Sequence, residues 1–352
     1  MTYLDNAAST IPRFFSSDYC YNWFNPNSNH KAGLQAKQDL DDARNRIKAA
    51  LGLKSGKVIF CRCATEAVEW LCRYFRKQSG LKYNVQCSMV EHDSVFYNCY
   101  YRCHPNDMCF FEEDSLYLHQ FCSHLTGQIF DIESIGKQVQ STGAFFGTDI
   151  TAGLGKYKLP NNLEDFCDAL WFSGRKIRCE TMGALWLSDR LFDYLDGRQD
   201  SKNEYSLLHG TPNVSGAIAL SHAVEHAVEN IEQNQVSREN LLMHLWHRVC
   251  YDIDKDCNIW HMLALKTDAI NALYLPGFNA DVLVQFLSSR DIYVSPCYSA
   301  CSEDADYRVA LALGMTKEEA SQTIRVSFGA ETTEQDIDVL VDAIVEFKEL
   351  FM

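Results

Sequence analysis

A chain of 352 residues with 47% hydrophobic and 22% charged side chains has the make-up of a water-soluble globular protein, either one large domain with a smaller one or two domains of ordinary size, and it contains no apolar run long enough to span a membrane. Its 32 Lys and Arg stand against 47 Asp and Glu, and the resulting charge of −15 argues against nucleic-acid phosphate as the main partner, because that needs a basic stripe, while leaving open a local basic patch for tRNA or a basic protein partner. Fifteen cysteines accompany an opening, "MTYLDNAAST", that lacks the basic start and apolar core of a secretory signal, so most thiols are expected reduced and the location cytoplasmic.

"LDNAAST" and "NPNSNH" read as turns and caps. "KAGLQAKQDLDDARNRIKAALGL" then sets Leu40, Ala43, Ile47, Ala50 and Leu51 at helical spacing. "KVIF" is a short strand, and "ATEAVEWLCRYFRKQ" follows at once as a helix. Thr65 lies near its start, with Ala67, Val68, Leu71, Cys72 and Phe75 on one face. "SIGKQVQSTG" precedes "AFFGTD", a strand ending on Asp149; "ALWF" ends on Ser173, and "GALWL" is a further strand. "SGAIALSHAVEHAVENIEQ" and "ENLLMHLWHRVCYDI" are long amphipathic helices. After them come "AINALYL", "ADVLVQFLSS", "IYVSPC", "QTIRVSFG" and a last helix from Thr333. Ile337, Leu340, Ile344 and Phe347 form its apolar stripe, and Thr333 and Asp336 are spaced as a capping box. The alternation of strands and helices predicts an α/β domain with a mainly parallel sheet. The later pattern predicts a smaller α+β domain.

Within "DALWFSGRKIRCETMGALWL", Lys176 follows a strand end directly, where α/β proteins place their chemistry. Pyridoxal phosphate wants such strand ends. It needs a lysine for its aldehyde, an acid for its pyridine nitrogen, donors for its phosphate and a flat group against its ring. Lys176, Asp149, the helix start Ala64–Glu66 with Thr65, the Ser173 hydroxyl and His92 supply one candidate each. Each alone has a blander reading: a turn aspartate, a satisfied histidine, a helix cap, a solvated lysine. Their order and shared placement at strand ends favour the cofactor.

The set "YLDNAAST", "NPNSNHKAG", "CATEAVEW", "EHDSV", "SGRK", "GALWL", "HGTPN", "SACS" and "IRVSFG", in this order, resembles the cysteine desulfurases, class V members of the fold-type I pyridoxal-phosphate enzymes. The resemblance implies a large cofactor-binding domain over 13–237 and a small domain from 1–12 and 238–352. It makes Lys176 the Schiff-base lysine and a mover of the substrate's α-proton, Asp149 the pyridinium partner and His92 the stacking histidine with a part in catalysis, and it counts His124 and Arg175 among the cofactor-binding residues. Ala64, Thr65 and Ser173 fall to the phosphate, with Thr211 reaching in from the second subunit of a homodimer. Arg325 and Asn6 fall to the substrate, Arg325 on its carboxylate. Cys301 becomes the nucleophile that carries a persulfide, within a mobile loop running to Gly314. L-Cysteine is then the substrate, and a scaffold or tRNA-thiolation enzyme receives the sulfur, with no membrane and no direct nucleic acid involved.

The pattern also departs from the family. Arg175 replaces a histidine in "SGRK", Ala152 stands where a glutamine bonds the cofactor's phenolic oxygen, and His124 in "SHLTG" occupies the place of an asparagine serving the same oxygen. Leu208 stands where an arginine often precedes the "GT" turn. These changes keep alive another class V enzyme, such as a selenocysteine lyase or an aminotransferase-like enzyme, and a degenerate assembly partner. Cys297, four residues before Cys301, reads as an inert strand-end thiol rather than a relay or metal ligand, and Cys61, Cys63 and Cys179 read as packing. No pair of CxxC motifs supports a metal site.

Overall fold

The computed structural model describes residues 1–22, 24–80, 84–104, 112–196, 204–207, 210–254, 256–259, 268–298 and 307–352. In chain order its first elements are β1 (Thr2–Tyr3), α1 (Lys31–Ala50), β2 (Lys57–Cys61), α2 (Ala64–Ser79), β3 (Val85–Ser88), α3 (Asp93–Phe96), β4 (Tyr101–Cys103) and β5 (Leu116–Leu118). There follow α4 (Ile132–Gln140), β6 (Phe145–Asp149), β7 (Ala169–Ser173), β8 (Gly183–Leu187), α5 (Asp189–Tyr194), α6 (Val214–Glu229) and α7 (Ile231–Arg248). The chain forms two compact units. No helix among the described residues is long and apolar enough to cross a membrane.

The larger unit comprises Ile11–Phe121 and Phe130–Asn230. It holds a seven-stranded sheet in the order β2-β8-β7-β6-β5-β3-β4. Neighbours from β7 to β4 are parallel, and β8 runs against both β2 and β7. Every strand except β8 therefore points the same way, as the mainly parallel reading expects. Strands such as "ALWFS" are buried throughout, because a sheet covered on both faces selects continuous apolar runs. One face takes the predicted stripe of α2: Ala67, Val68, Leu71, Cys72 and Phe75 pack with Leu116, Leu118, Trp171 and Leu185. Cys72, Cys87 and Cys99 lie in this core as free thiols, whereas Cys103 is disulfide-bonded.

The sheet's direction creates an edge. The carboxyl ends of β2, β3, β5, β6 and β7 lie together with the start of β8. Register fixes the neighbours along that edge: Cys61 and Ser173 both pair with Gly183, and Asp149 pairs with Trp171.

The smaller unit comprises Met1–Thr10, Cys122–Ile129 and Ile231–Met352. Its strands are β9 (Asn258–Ile259), β10 (Ile270–Tyr274), β11 (Ile292–Tyr293), β12 (Ser295–Pro296) and β13 (Thr323–Ser327), besides β1. β12, β13, β10 and β9 make an antiparallel sheet, and β1 pairs in parallel with β11. "IYVSPC" is thus two short strands on different partners rather than one. Pro296, lacking an N–H, sits on the edge strand β12, where no ladder bond is lost. α7 and the helices Ala280–Ser288 and Glu334–Phe351 close a core that includes Leu4, Leu245, Leu283, Val326, Ile337, Leu340, Ile344 and Phe347. The capping box exists as read: Thr333 N donates to Asp336 Oδ2 at 2.9 Å, and Asp336 N donates to Thr333 Oγ1 at 3.3 Å. Cys122–Ile129 is a tight hairpin, pinned by the Ser123 hydroxyl, which accepts from Leu125 N and Thr126 N at 3.2 Å.

Candidate functional site

In the larger unit, β6 delivers Asp149 to the carboxyl edge and adjacent β7 delivers Ser173, from which a single 3-10 turn, Gly174–Lys176, leads to the lysine. Lys176 is half-buried, Ser173 is buried and Arg175 is exposed. The Asp149 carboxylate is buried, and Oδ1 accepts from Thr151 N at 2.8 Å. Burial pushes its pKa up; bonds from Thr151 and the nearby His92 and Trp171 pull it down. The Trp171 indole N–H has no partner in ordinary hydrogen-bond geometry, yet it lies near enough to favour the ionised carboxylate. Ala152 sits half-buried in the turn after Asp149.

His92 is the N-cap of α3 on the loop after β3. Its Nδ1 accepts from Ser94 N at 3.1 Å, which leaves the neutral ring's proton on Nε2. The ring is exposed. α2 starts beyond the end of β2, against the start of β8. Cys63 is the N-cap and offers no side-chain bond, so Thr65 is a first-turn residue and not the cap. Gly183 makes the close fit here: a Cβ on it would stand 2.7 Å from the Cys63 carbonyl carbon and 3.0 Å from Ala64 N. The first-turn N–H groups therefore lie against the edge beside Ser173, positive end of the helix dipole outward. Thr211 is exposed, just before the Asn213 cap of α6.

In the smaller unit, β13 carries Arg325. Its Nη2 donates to Asp5 Oδ1 at 2.7 Å and its Nη1 to the His124 carbonyl at 3.1 Å, while Nε is buried without a partner. Asn6 is also buried; its Nδ2 donates to Ser327 O at 3.1 Å, so it ties the N-terminal segment to the end of β13. Gly329 leaves room for it, since a Cβ there would be 2.5 Å from Asn6 Oδ1. Cys297 is fully buried, and burial pushes its thiol up to about 12 against the opposing charge of Arg325. A thiol held protonated is a poor nucleophile. Burial likewise pushes Cys179 up to about 12. Cys301 and Leu208 lie outside the described residues, and Arg308–Ala312, within the stretch read as a loop, is helical.

The larger unit thus brings Lys176, Asp149, Ser173, His92 and the start of α2 to one sheet edge, and the smaller unit gathers Arg325, Asn6 and His124 around β13. Two contributors escaped the sequence reading. Trp171 looked like one more apolar strand residue, and Asp5 like a turn residue in "LDNAAST". The period-2 alternation of β7 against Asp149 was the signal for the first; nothing local signalled the second. The donor set fits pyridoxal phosphate: a half-buried lysine and a buried acid on adjacent strand ends, next to a helix start that no side chain caps.

A family model described as aminotransferase class-V matches residues 2–103 and 112–340. A cysteine desulfurase of Nostoc sp. is 26% identical over 384 aligned positions, covering 99% of this chain and 92% of the relative. The cysteine desulfurase IscS of Klebsiella pneumoniae is 26% identical, with 97% and 91% covered. Among solved structures, a NifS-like protein superposes with a TM-score of 0.85 at 21% identity, covering 99% of this chain and 100% of that one, which is likeness of fold.

Proposed function

Since the chain belongs to the aminotransferase class-V family, we propose that it is a cysteine desulfurase, converting L-cysteine to L-alanine and passing the sulfur to an acceptor protein. Its cofactor is pyridoxal 5′-phosphate, which when bound supplies an electron-withdrawing ring that weakens bonds at the substrate's α-carbon. Lys176 would hold the cofactor's aldehyde, Asp149 its pyridine nitrogen and His92 its ring face. The first turn of α2, Thr65 and Ser173 would hold the phosphate, with Thr211 contributed across a homodimer. Burial makes Asp149 a strong partner for a protonated ring nitrogen, because an ion pair in a dry site is screened little. Lys176, once free as an amine, moves the α-proton. Arg325 grips the carboxylate. Cys301 receives the sulfur: the substrate's C–S bond breaks, an S–S bond forms on Cys301, and the carbon takes a proton to become alanine.

The observation that carries this reading is the pairing of Lys176 and buried Asp149 on adjacent parallel strand ends beside the start of α2. The acceptor class, a scaffold for iron–sulfur assembly or a tRNA-thiolation enzyme, belongs to the same proposal, as does a cytoplasmic location. Ala152 and His124 favour a second reading, a class V enzyme acting on another amino acid, because neither provides the amide expected near the cofactor's oxygen.

The test is to add L-cysteine and a reductant to the holoprotein and measure sulfide and alanine together. Equal amounts are expected. Borohydride should fix the cofactor on Lys176, and Cys301→Ser should still bind cysteine but release no sulfide. Sulfide release by Cys301→Ser at the wild-type rate, or a label on another lysine, would refute the assignments. Turnover of a different amino acid in place of cysteine would select the second reading.

A further inference from the structure

Arg325 is held from two directions by segments remote in sequence. The hairpin Cys122–Ile129 offers the His124 carbonyl to Nη1 at 3.1 Å, and the N-terminal segment offers Asp5 Oδ1 to Nη2 at 2.7 Å. The arginine is 9% exposed. Asp5 is itself well anchored: its backbone bridges Ser327, and its carbonyl accepts from Ala8 N at 3.0 Å and from the Tyr3 hydroxyl at 3.1 Å. The Asp5 backbone is therefore fixed, and its short side chain confines the carboxylate to a small region that the guanidinium must reach. A guanidinium carries five N–H donors in a rigid plane, and one contact on each terminal nitrogen fixes the direction of that plane. The Nε–H remains buried without an acceptor.

We propose that Asp5 is a positioning residue for Arg325, fixing the guanidinium so that its remaining donors meet the α-carboxylate of the amino-acid substrate. This rests on the reading of Arg325 as the carboxylate-holding residue. A free arginine of this length would lose rotamer freedom only when substrate arrives; here the loss is taken on folding, and substrate meets a site already aimed. Asp5 also supplies the counter-charge that keeps a buried guanidinium tolerable while substrate is absent.

The test compares L-cysteine with cysteamine, the same molecule without its carboxylate, by measuring the dissociation constant of each from the holoprotein. Asp5→Asn should weaken L-cysteine binding by about tenfold, the scale of one charged hydrogen bond, and leave cysteamine binding unchanged. KM for L-cysteine should rise with kcat little altered. Asp5→Glu, which keeps the charge, should recover most of the loss and covers the case in which Asp5→Asn fails to fold. If Asp5→Asn weakens both ligands equally, Asp5 is only structural. If it tightens L-cysteine, Asp5 is a competitor for Arg325. Either result overturns the proposal, as would an Asp5→Glu variant that binds cysteine no better than an Arg325→Gln variant. Arg325→Gln is the control for the underlying reading: if it leaves the ratio of the two affinities unchanged, Arg325 does not hold the carboxylate.

Discussion

His119 follows β5 and is 1% exposed. Its Nδ1 lies 2.9 Å from the Gln120 carbonyl, its Nε2 has no partner, and its ring meets Phe130 edge-on at 4.7 Å. The Nδ1 contact is a donor bond of the neutral ring, and burial lowers the pKa to about 4. The unfolded chain protonates near the ordinary 6.5, so between that value and about 4 the unfolded state binds the extra proton. Stability from this residue is complete above that window and is lost as pH falls through it. Between about pH 7.5 and about pH 5 the loss should be about 2 kcal/mol. Urea unfolding at the two values should show His119→Phe losing less stability than wild type over the same interval. Parallel losses in both proteins would mean that His119 titrates normally.

At the scale of elements, the start of α2 depends on Gly183 in the neighbouring strand. A methyl group there must displace backbone at Cys63 and Ala64, not a flexible side chain. Gly183→Ala should therefore shift the first turn of α2 outward and weaken phosphate binding, by about tenfold for an overpacked site. Titration of the apoprotein with pyridoxal phosphate measures it, and the circular dichroism of the apoprotein should stay the same. Unchanged cofactor affinity would show that the first turn of α2 does not hold the phosphate. The helix itself was readable, since Ala67, Val68, Leu71, Cys72 and Phe75 recur at helical spacing and all are buried. So was the capping box at Thr333, because its two residues are local. What failed to show was pairing between distant segments. "IYVSPC" gives no sign that Ile292–Tyr293 and Ser295–Pro296 have different partners. Asp5 gives none that it will meet Arg325, and Trp171 none that its N–H will approach Asp149. Period and caps record what each segment does alone; register is settled only when the sheet closes.

Across the whole molecule, the smaller unit is assembled from three separated stretches of chain. Leu4, in the first of these stretches, is completely buried in its core. Leu4→Ala should cost about 3 kcal/mol, the range for a buried leucine that leaves a cavity. Urea unfolding would measure this, and a cost under about 0.5 kcal/mol, typical of a surface site, would contradict the buried placement. The same arrangement bears on synthesis. β1 has no strand to pair with until Ile292 and Tyr293 have been made, and Leu4 O has no donor until Ser327 follows. Thr2, Tyr3 and Leu4 are thus made about 290 residues before the strands that hold them. While the strands of the larger unit are all made by Asn230, the segment Met1–Thr10, apolar Leu4 included, must wait for partners made after it.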